Sequence, residues 1–235
     1  MIVAIIGAGG IGAALAQALI AREDVERVHL VSRHDAAPFK GGGKLVHRTG
    51  DVTREADVIG WAEGLDRLDW LVNTVGMLHD GAHGPEKSIR QFEPDHLLES
   101  VRVNCLPTLL LARHVHPLLG RSERGVFATV SARVGSIEDN GLGGWYSYRA
   151  SKAALNMSLK CLAIEWQRSA KSIRVAALHP GTTDTPLSGP FQANVPEGKL
   201  FTPAFTAERL IERIDGLHDR PSGQFLAWDG ESISW

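Results

Sequence analysis

Two cysteines in 235 residues, Cys105 and Cys161, are too few for disulfides to carry the fold, and a reducing, cytoplasmic setting fits them. A surplus of either charge is also missing. The 25 Lys and Arg side chains against 27 Asp and Glu leave a formal charge of -2, so nothing builds the broad positive field that nucleic acid binding needs. Among the ten histidines, His114 and His116, two apart, would diverge on a helix, and the two cysteines are not closely spaced, so no metal is expected. Long hydrophobic runs are scarce. The chain has no charge before Arg22, but the basic flank of a signal peptide is absent and Gly7, Gly9, Gly10 and Gly12 interrupt the run, so neither export nor a membrane partner is expected. What remains is an ordinary globular composition, 43% hydrophobic and 22% charged, long enough to bury a sizeable core as one domain over residues 1–235.

Short apolar runs alternate with helical patterns. Strands are expected at residues 2–6, 28–31, 45–47, 70–73, 126–130, 173–178 and 224–228. Helices are expected at 13–21, 55–63, 95–119, 147–168 and 207–215. Residues 182–205 are rich in Gly, Pro, Thr and Ser and read as a loop or lid. This order predicts an α/β fold, a Rossmann-type doubly wound parallel sheet flanked by helices on both faces. Its ligands would bind beyond the carboxyl ends of the strands.

Gly7-x-Gly9-x-x-Gly12 stands between the first strand and the first helix. There glycines permit a tight turn, and a helix N-terminus offers free N–H groups to a pyrophosphate. At the end of the second strand stand Ser32 and Arg33. Arg33 suits the 2′-phosphate of NADP, while Asp35 nearby leaves NAD possible. Tyr148 and Lys152 lie four apart on a predicted helix and so share a face. An ammonium about 4 Å from the phenol would attract its anion by roughly 4 kcal/mol before desolvation, enough to draw it from about 10 toward neutrality.

Further marks complete the pattern: Asp51-Val52, Asn73-Thr-Val-Gly76, Asn104, and Pro180-Gly181-x-x-x-Thr185. With the glycine turn and Tyr148-x-x-x-Lys152, they resemble the short-chain dehydrogenase/reductase family nearly end to end. Ser131-Ala-Arg-Val-Gly-Ser136 through Tyr148-Arg-Ala-Ser-Lys152, with Ala227-Trp-Asp-Gly230, is similar to its C-factor and sniffer-like carbonyl reductase branch. The resemblance implies an oxidoreductase using NADP(H), or alternatively NAD(H). Gly7, Gly9, Gly10, Ile11, Gly12, Ser32, Arg33, Asp51, Val52, Asn73, Val75, Gly76, Pro180, Gly181, Thr183 and Thr185 would hold the cofactor. Tyr148 would donate the proton, Lys152 would lower its pKa and hold the nicotinamide ribose, and Asn104 would support a proton relay. Homodimers or homotetramers, paired through helices 95–119 and 147–168, are also implied.

The sequence departs from the family at three places. The glycine turn is one residue shorter than usual. Thr74 and Val75 replace the usual Asn and Ala. The usual catalytic serine falls at Ala132, which leaves Ser131 as the expected substrate-oxygen donor and Ser136 as the alternative. Pro107 should kink the helix around Asn104 and free a carbonyl there. Leu187, Phe191, Val195, Leu200 and Phe201, with Trp145, Met77 and Leu78, suggest a mainly apolar pocket for a small carbonyl compound. The alternative is a catalytically weak, dinucleotide-binding regulatory or signalling protein. An extended-branch epimerase is disfavoured, because no room remains for a sugar-binding domain.

Overall fold

The computed structural model describes residues 1–81 and 83–235. Five short apolar runs, β1 (Ile2–Ile6), β2 (Arg27–Ser32), β4 (Trp70–Asn73), β5 (Gly125–Val130) and β6 (Ile173–His179), form the buried strands. β3 (Leu45–Thr49) and β9 (Gln224–Ala227) close the two edges. The sheet order is β3-β2-β1-β4-β5-β6-β9, parallel throughout. The order reverses at β1, and a cleft opens at the carboxyl ends on either side of that switch.

Alternation along each strand feeds two cores. Val3 and Ile5 of β1, with Val28 and Leu30 of β2, pack under α1 (Gly10–Ile20) and α6 (Pro203–Asp215). Ala4 and Ile6, with Leu71 and Phe127, pack under α2 (Glu55–Ala62), α4 (Leu106–Leu119) and α5 (Tyr146–Ser169). α3 (Pro94–Asn104) lies against α5. No helix among the described residues is long and apolar enough to cross a membrane.

The stretch expected as one helix over 95–119 is two. α3 ends at Asn104, and α4 begins at Leu106 with Pro107 in its first turn, where a missing N–H costs nothing. The break therefore precedes the proline. The Thr108 N–H turns to the Cys105 carbonyl at 3.1 Å, away from the Asn104 carbonyl that an unbroken helix would offer it. The lid is also more ordered than its composition suggests. β7 (Thr182–Thr183) and β8 (Leu200–Phe201) pair in parallel, and a 3-10 turn spans Gly189–Asn194 between them.

Candidate active site

Two cavities of about 590 and 620 Å³ adjoin at the carboxyl edge, sharing Gly9, Thr74, Val75 and Gly76, and together form one trench. A larger hollow of about 750 Å³ lies against α2 and meets the trench only at Arg33, Gly50 and Asp51. Ser32, Arg33, Asp51 and Val52 stand at one end of the trench, and Tyr148, Lys152, Pro180, Gly181, Thr183 and Thr185 at the other. Gly7, Gly9, Gly10, Ile11 and Gly12 floor the middle, beside Val75 and Gly76.

The shortened turn is tight. Gly7 takes φ 95°, and its N–H donates to the Val31 carbonyl at 2.8 Å. A Cβ on Gly12 would sit 2.0 Å from the Gly7 carbonyl oxygen, so no side chain fits there. Thr74 braces the same turn, donating to the Ile6 carbonyl at 2.8 Å, which gives this departure from the usual Asn a structural reason. α1 starts at Gly10, so the N–H groups of Gly10, Ile11 and Gly12 precede any helical acceptor and face the trench as an anion cradle. Gly12→Ala is expected to cost ~1–3 kcal/mol through overpacking and to abolish dinucleotide binding, read by thermal melting and a fluorescence titration.

At the far end, Arg33 is exposed and has no hydrogen bond or ion pair among the described residues. Asp51 accepts from the Thr53 N–H at 3.0 Å and its hydroxyl at 2.8 Å. Burial works to raise its pKa, but these bonds, with the charges of Arg33 and Arg102, hold it below the ordinary carboxylate value. Ser32 lines the trench, yet its Oγ lies 3.0 Å from His47 Nε2 on β3 and is turned into the sheet. Asn73 does not line the trench. Its Nδ2 donates to Thr108 Oγ1 at 3.1 Å, and its Oδ1 accepts from the Val75 N–H at 3.1 Å. The expected cofactor ligand is thus a buried brace between β4 and α4.

Tyr148 and Lys152 share the inward face of α5. Lys152 is 3% exposed, and its Nζ donates to the Val130 carbonyl at 3.1 Å. That Nζ stands 5.8 Å from the centroid of the Tyr148 ring. A Cβ added to Gly76 would lie 3.5 Å from both Lys152 Nζ and Asn104 Oδ1, so only a glycine's width separates them. Burial pushes the Lys152 ammonium down to about 8 and holds the Tyr148 phenol well above its ordinary value. The expected acidification of the phenol is therefore not present in the protein alone, because desolvation outweighs an ammonium that is aimed at a main-chain carbonyl. At neutral pH the phenol carries its proton.

Asn104 is also a brace. Its Oδ1 accepts from the Met77 N–H at 2.7 Å, while its Nδ2 donates to the Met77 carbonyl at 2.9 Å and to Ser151 Oγ at 2.8 Å. The side chain ties the loop after β4 to α5 without entering the trench. Ser131 lines the cavity, as expected, and Ser136 does not. The Ser131 hydroxyl donates to Asn156 Oδ1 at 2.6 Å, buried between β5 and α5. Ser136 accepts from the Asp139 N–H at 3.1 Å, donates to the Trp235 carbonyl at 3.4 Å, and lies outside the cavity. The residue at the usual serine position, Ala132, lines the cavity beside Ser131. Neither candidate serine thus presents a free hydroxyl hydrogen to a substrate oxygen.

Two features were not visible in the sequence. Gly135 packs against Lys152 so closely that a Cβ would meet the lysine's Cβ at 2.7 Å, which fixes the 132–136 turn on α5. Glu86 is 2% exposed, and its carboxylate accepts the Ser147 hydroxyl and, at 3.2 Å, the Ser147 N–H, where the α5 dipole favours an anion. His179, the last residue of β6, accepts from the Arg133 N–H at 3.3 Å, and burial beside the Arg133 charge pushes its imidazole down to about 4. It is neutral near pH 7. Asp80, at the rim of the 590 Å³ cavity, and His83 and His96 beyond it bring one ligand-type atom each within 4.8 Å, a grouping hidden from the spacing rule because His96 comes from α3. The His83 main chain and ring both hydrogen-bond Asp80. Of the residues expected to shape the substrate pocket, Trp145, Leu78, Leu187, Phe191 and Val195 line it. Leu200 and Phe201 do not; the Phe201 ring packs on Phe205 and Trp228, with centroids 4.8 and 4.6 Å away.

The family model described as short chain dehydrogenase matches residues 1–196. A 1-hydroxy-2-glutathionyl-2-methyl-3-butene dehydrogenase of Rhodococcus is 33% identical over 86% of this chain and 85% of its own. The C-signal protein of Myxococcus xanthus is 31% identical over 72% of this chain and 93% of its own. Among solved structures, an NADPH-bound carbonyl reductase from chicken fatty liver superposes with a TM-score of 0.85 at 25% identity, covering 99% of this chain and 98% of that one.

Proposed function

The chain belongs to the short-chain dehydrogenase family, and from that premise we propose an NADPH-dependent carbonyl reductase, or in reverse an alcohol dehydrogenase, for a small, mainly apolar carbonyl compound. The observation that carries this reading is the alignment of Tyr148 and Lys152, one turn apart on α5, with a trench continuous with the glycine turn. The trench suits a nicotinamide dinucleotide. The N–H groups of Gly10, Ile11 and Gly12 would receive the pyrophosphate, Arg33 and Asp51 the adenosine end, and Lys152, Gly181, Thr183 and Thr185 the nicotinamide end. When bound, the nicotinamide supplies the hydride in reduction and accepts it in oxidation.

The protein's own share is a proton and a position. Tyr148, protonated at neutral pH, gives its phenolic hydrogen to the substrate oxygen. Lys152 keeps its charge below about pH 8 and holds it between Val130 and Gly76, where ribose hydroxyls can accept from it. Asn104 fixes Met77 and Ser151, and with them the wall of the trench. The Asn104 carbonyl, not taken by the Thr108 N–H, would suit a proton-relaying water. The fold-level test is a panel of ketones and aldehydes assayed with NADPH and NADH side by side, with Tyr148→Phe as the blank.

Preference for NADPH rests on the unpartnered Arg33. Arg33→Ala is expected to raise KM for NADPH about 10- to 100-fold, the worth of one charged hydrogen-bonding contact, and to leave KM for NADH within about twofold. Equal losses for both cofactors would remove the assignment. One observation favours the second reading, a binding and signalling role: neither Ser131 nor Ser136 has a free hydroxyl. Tight NADPH binding with no turnover across the panel would select it. We also read the exposed Leu98, Leu109, Met157 and Ile164 of α3, α4 and α5 as the face of a symmetric homodimer, and the unpaired Cys105 and Cys161 as fitting a cytoplasmic protein.

A further inference from the structure

The turn into α5 contains three consecutive residues in left-handed conformation: Gly143 at φ 65°, Gly144 at φ 66° and Trp145 at φ 53°. Glycine adopts that region freely. Trp145 is the one described non-glycine residue found there, and a bulky side chain in that conformation is held by its surroundings. The holding contacts are visible. The Trp145 N–H donates to the Glu86 carbonyl at 2.5 Å, and the Glu86 carboxylate grips Ser147 two residues on. Glu86 is itself buried, so the turn cannot relax outward.

The consequence of this backbone is where the indole goes. Its ring stands edge to face with Tyr148, with centroids 6.3 Å apart at 67°. On its other flank it meets Phe191 of the lid at 5.0 Å and 50°. All three rings line the 620 Å³ cavity. The two cationic side chains lining that cavity among the described residues are already engaged. Lys152 is bonded to Val130, and Arg133 lies 3.5 Å from Asp139 and 3.9 Å from Glu231. An anionic substrate therefore gains little there, whereas a flat apolar group next to the phenol meets two aromatic faces.

We propose that Trp145, locked in its left-handed turn by Glu86, is the specificity-determining residue of the site, and that with Phe191 it selects ketones bearing an aryl group on the carbonyl carbon. This rests on the carbonyl-reductase reading and names its substrate class. A saturated ring of equal size is bulkier in depth and has no π-face, so it fills the same slot without the stacking gain. Trp145 contributes no proton and no charge. It acts by setting which carbonyls reach Tyr148 in a reactive pose.

The test pairs acetophenone with cyclohexyl methyl ketone, whose ring is the saturated counterpart. Turnover is followed with NADPH, and binding is followed by calorimetry on the NADP-loaded Tyr148→Phe protein, which needs no chemistry. The unaltered protein is expected to favour acetophenone about tenfold in both measurements. Trp145→Leu keeps apolar bulk without a flat face, and should bring both ratios to within about twofold. Trp145→Gly should do the same and melt a few degrees above Trp145→Ala, since glycine alone accepts the backbone without strain. A preference that survives Trp145→Leu, or that is absent from the unaltered protein in the binding measurement, overturns the proposal. Aryl-selective binding without turnover of either ketone would instead overturn the reductase reading and leave the aromatic slot standing.

Discussion

Replacing Tyr148 by Phe is expected to lower kcat for ketone reduction by about a thousandfold, a loss of roughly 4 kcal/mol of transition-state stabilisation. The size follows from how little else can protonate the oxygen. The Ser131 hydrogen is committed to Asn156, Ser136 lies outside the cavity, and Ala132 has no hydroxyl to offer. The phenol thus acts without the usual partner, and its removal leaves only water. The same substitution should be silent in stability. The Tyr148 hydroxyl has no hydrogen-bond partner among the described residues, so its loss orphans nothing, and the melting temperature should stay within about a degree. NADPH affinity should likewise be retained. A variant with unchanged turnover would assign the proton to another group.

Lys152→Met is expected to abolish turnover and yet make the protein more stable. The lysine is 3% exposed and has one hydrogen-bond acceptor, the Val130 carbonyl. Burial moves it from 10.5 to about 8, which corresponds to a penalty of about 3 kcal/mol on the charged form. Methionine keeps the length of the stem and removes the charge, so a net gain of ~1–2 kcal/mol, or several degrees in melting temperature, is expected. The gain has a pH signature. Below about pH 8 the lysine is charged in both folded and unfolded chains, and the full penalty applies. Between about 8 and 10.5 the unfolded chain holds a proton that the folded one has released, so the native protein gains stability as pH rises. The advantage of the Met variant should therefore shrink across that window. Over the same range kcat/KM for reduction by the native enzyme should fall as pH passes about 8, since the charged lysine is the competent form. A Met variant that is less stable at pH 7 would show that the ammonium is better solvated than its burial implies.

Most of the sheet was legible because β-branched runs such as Ile2–Ile6 and Ile173–His179 announce strands buried on both faces. Where reading failed, a local signal was outweighed by a neighbour in space. Pro107 predicts a kink, yet placed in the first turn of a new helix it fits without one, and the break moved to Cys105. α6 begins at Pro203, four residues before the apolar pattern sets in. Thr202 caps it by accepting from the Phe205 N–H at 3.2 Å, a Thr-Pro start hidden among the lid's other Pro and Thr residues. β7 and β8, at two residues each, are too short to carry any periodicity.

In the site, the trench-lining glycines and the Tyr148–Lys152 pair could be read from spacing alone. The inward hydrogen bonds of Ser131 and Asn73 obey strand parity. Ser131 shares a face with Phe127, and Asn73 shares one with Leu71; both faces look into the α4–α5 core. Counting by twos along β4 and β5 would have turned both side chains inward. The direction of the Tyr148 pKa was out of reach, because proximity of two residues on a helix says nothing of the water removed around them.

The 24 residues of α5 make a rod about 36 Å long, with Tyr148 and Lys152 in its first turns and Trp166 near its far end, deep among Phe127 and His116. Chemistry and architecture are mounted on one beam. Natural variation can therefore re-tailor the roof over residues 182–202, trading one guest for another, at little risk to the scaffold. Any drift that tilts the beam would disturb the reactive phenol and the hydrophobic interior together, so the two are inherited as a unit.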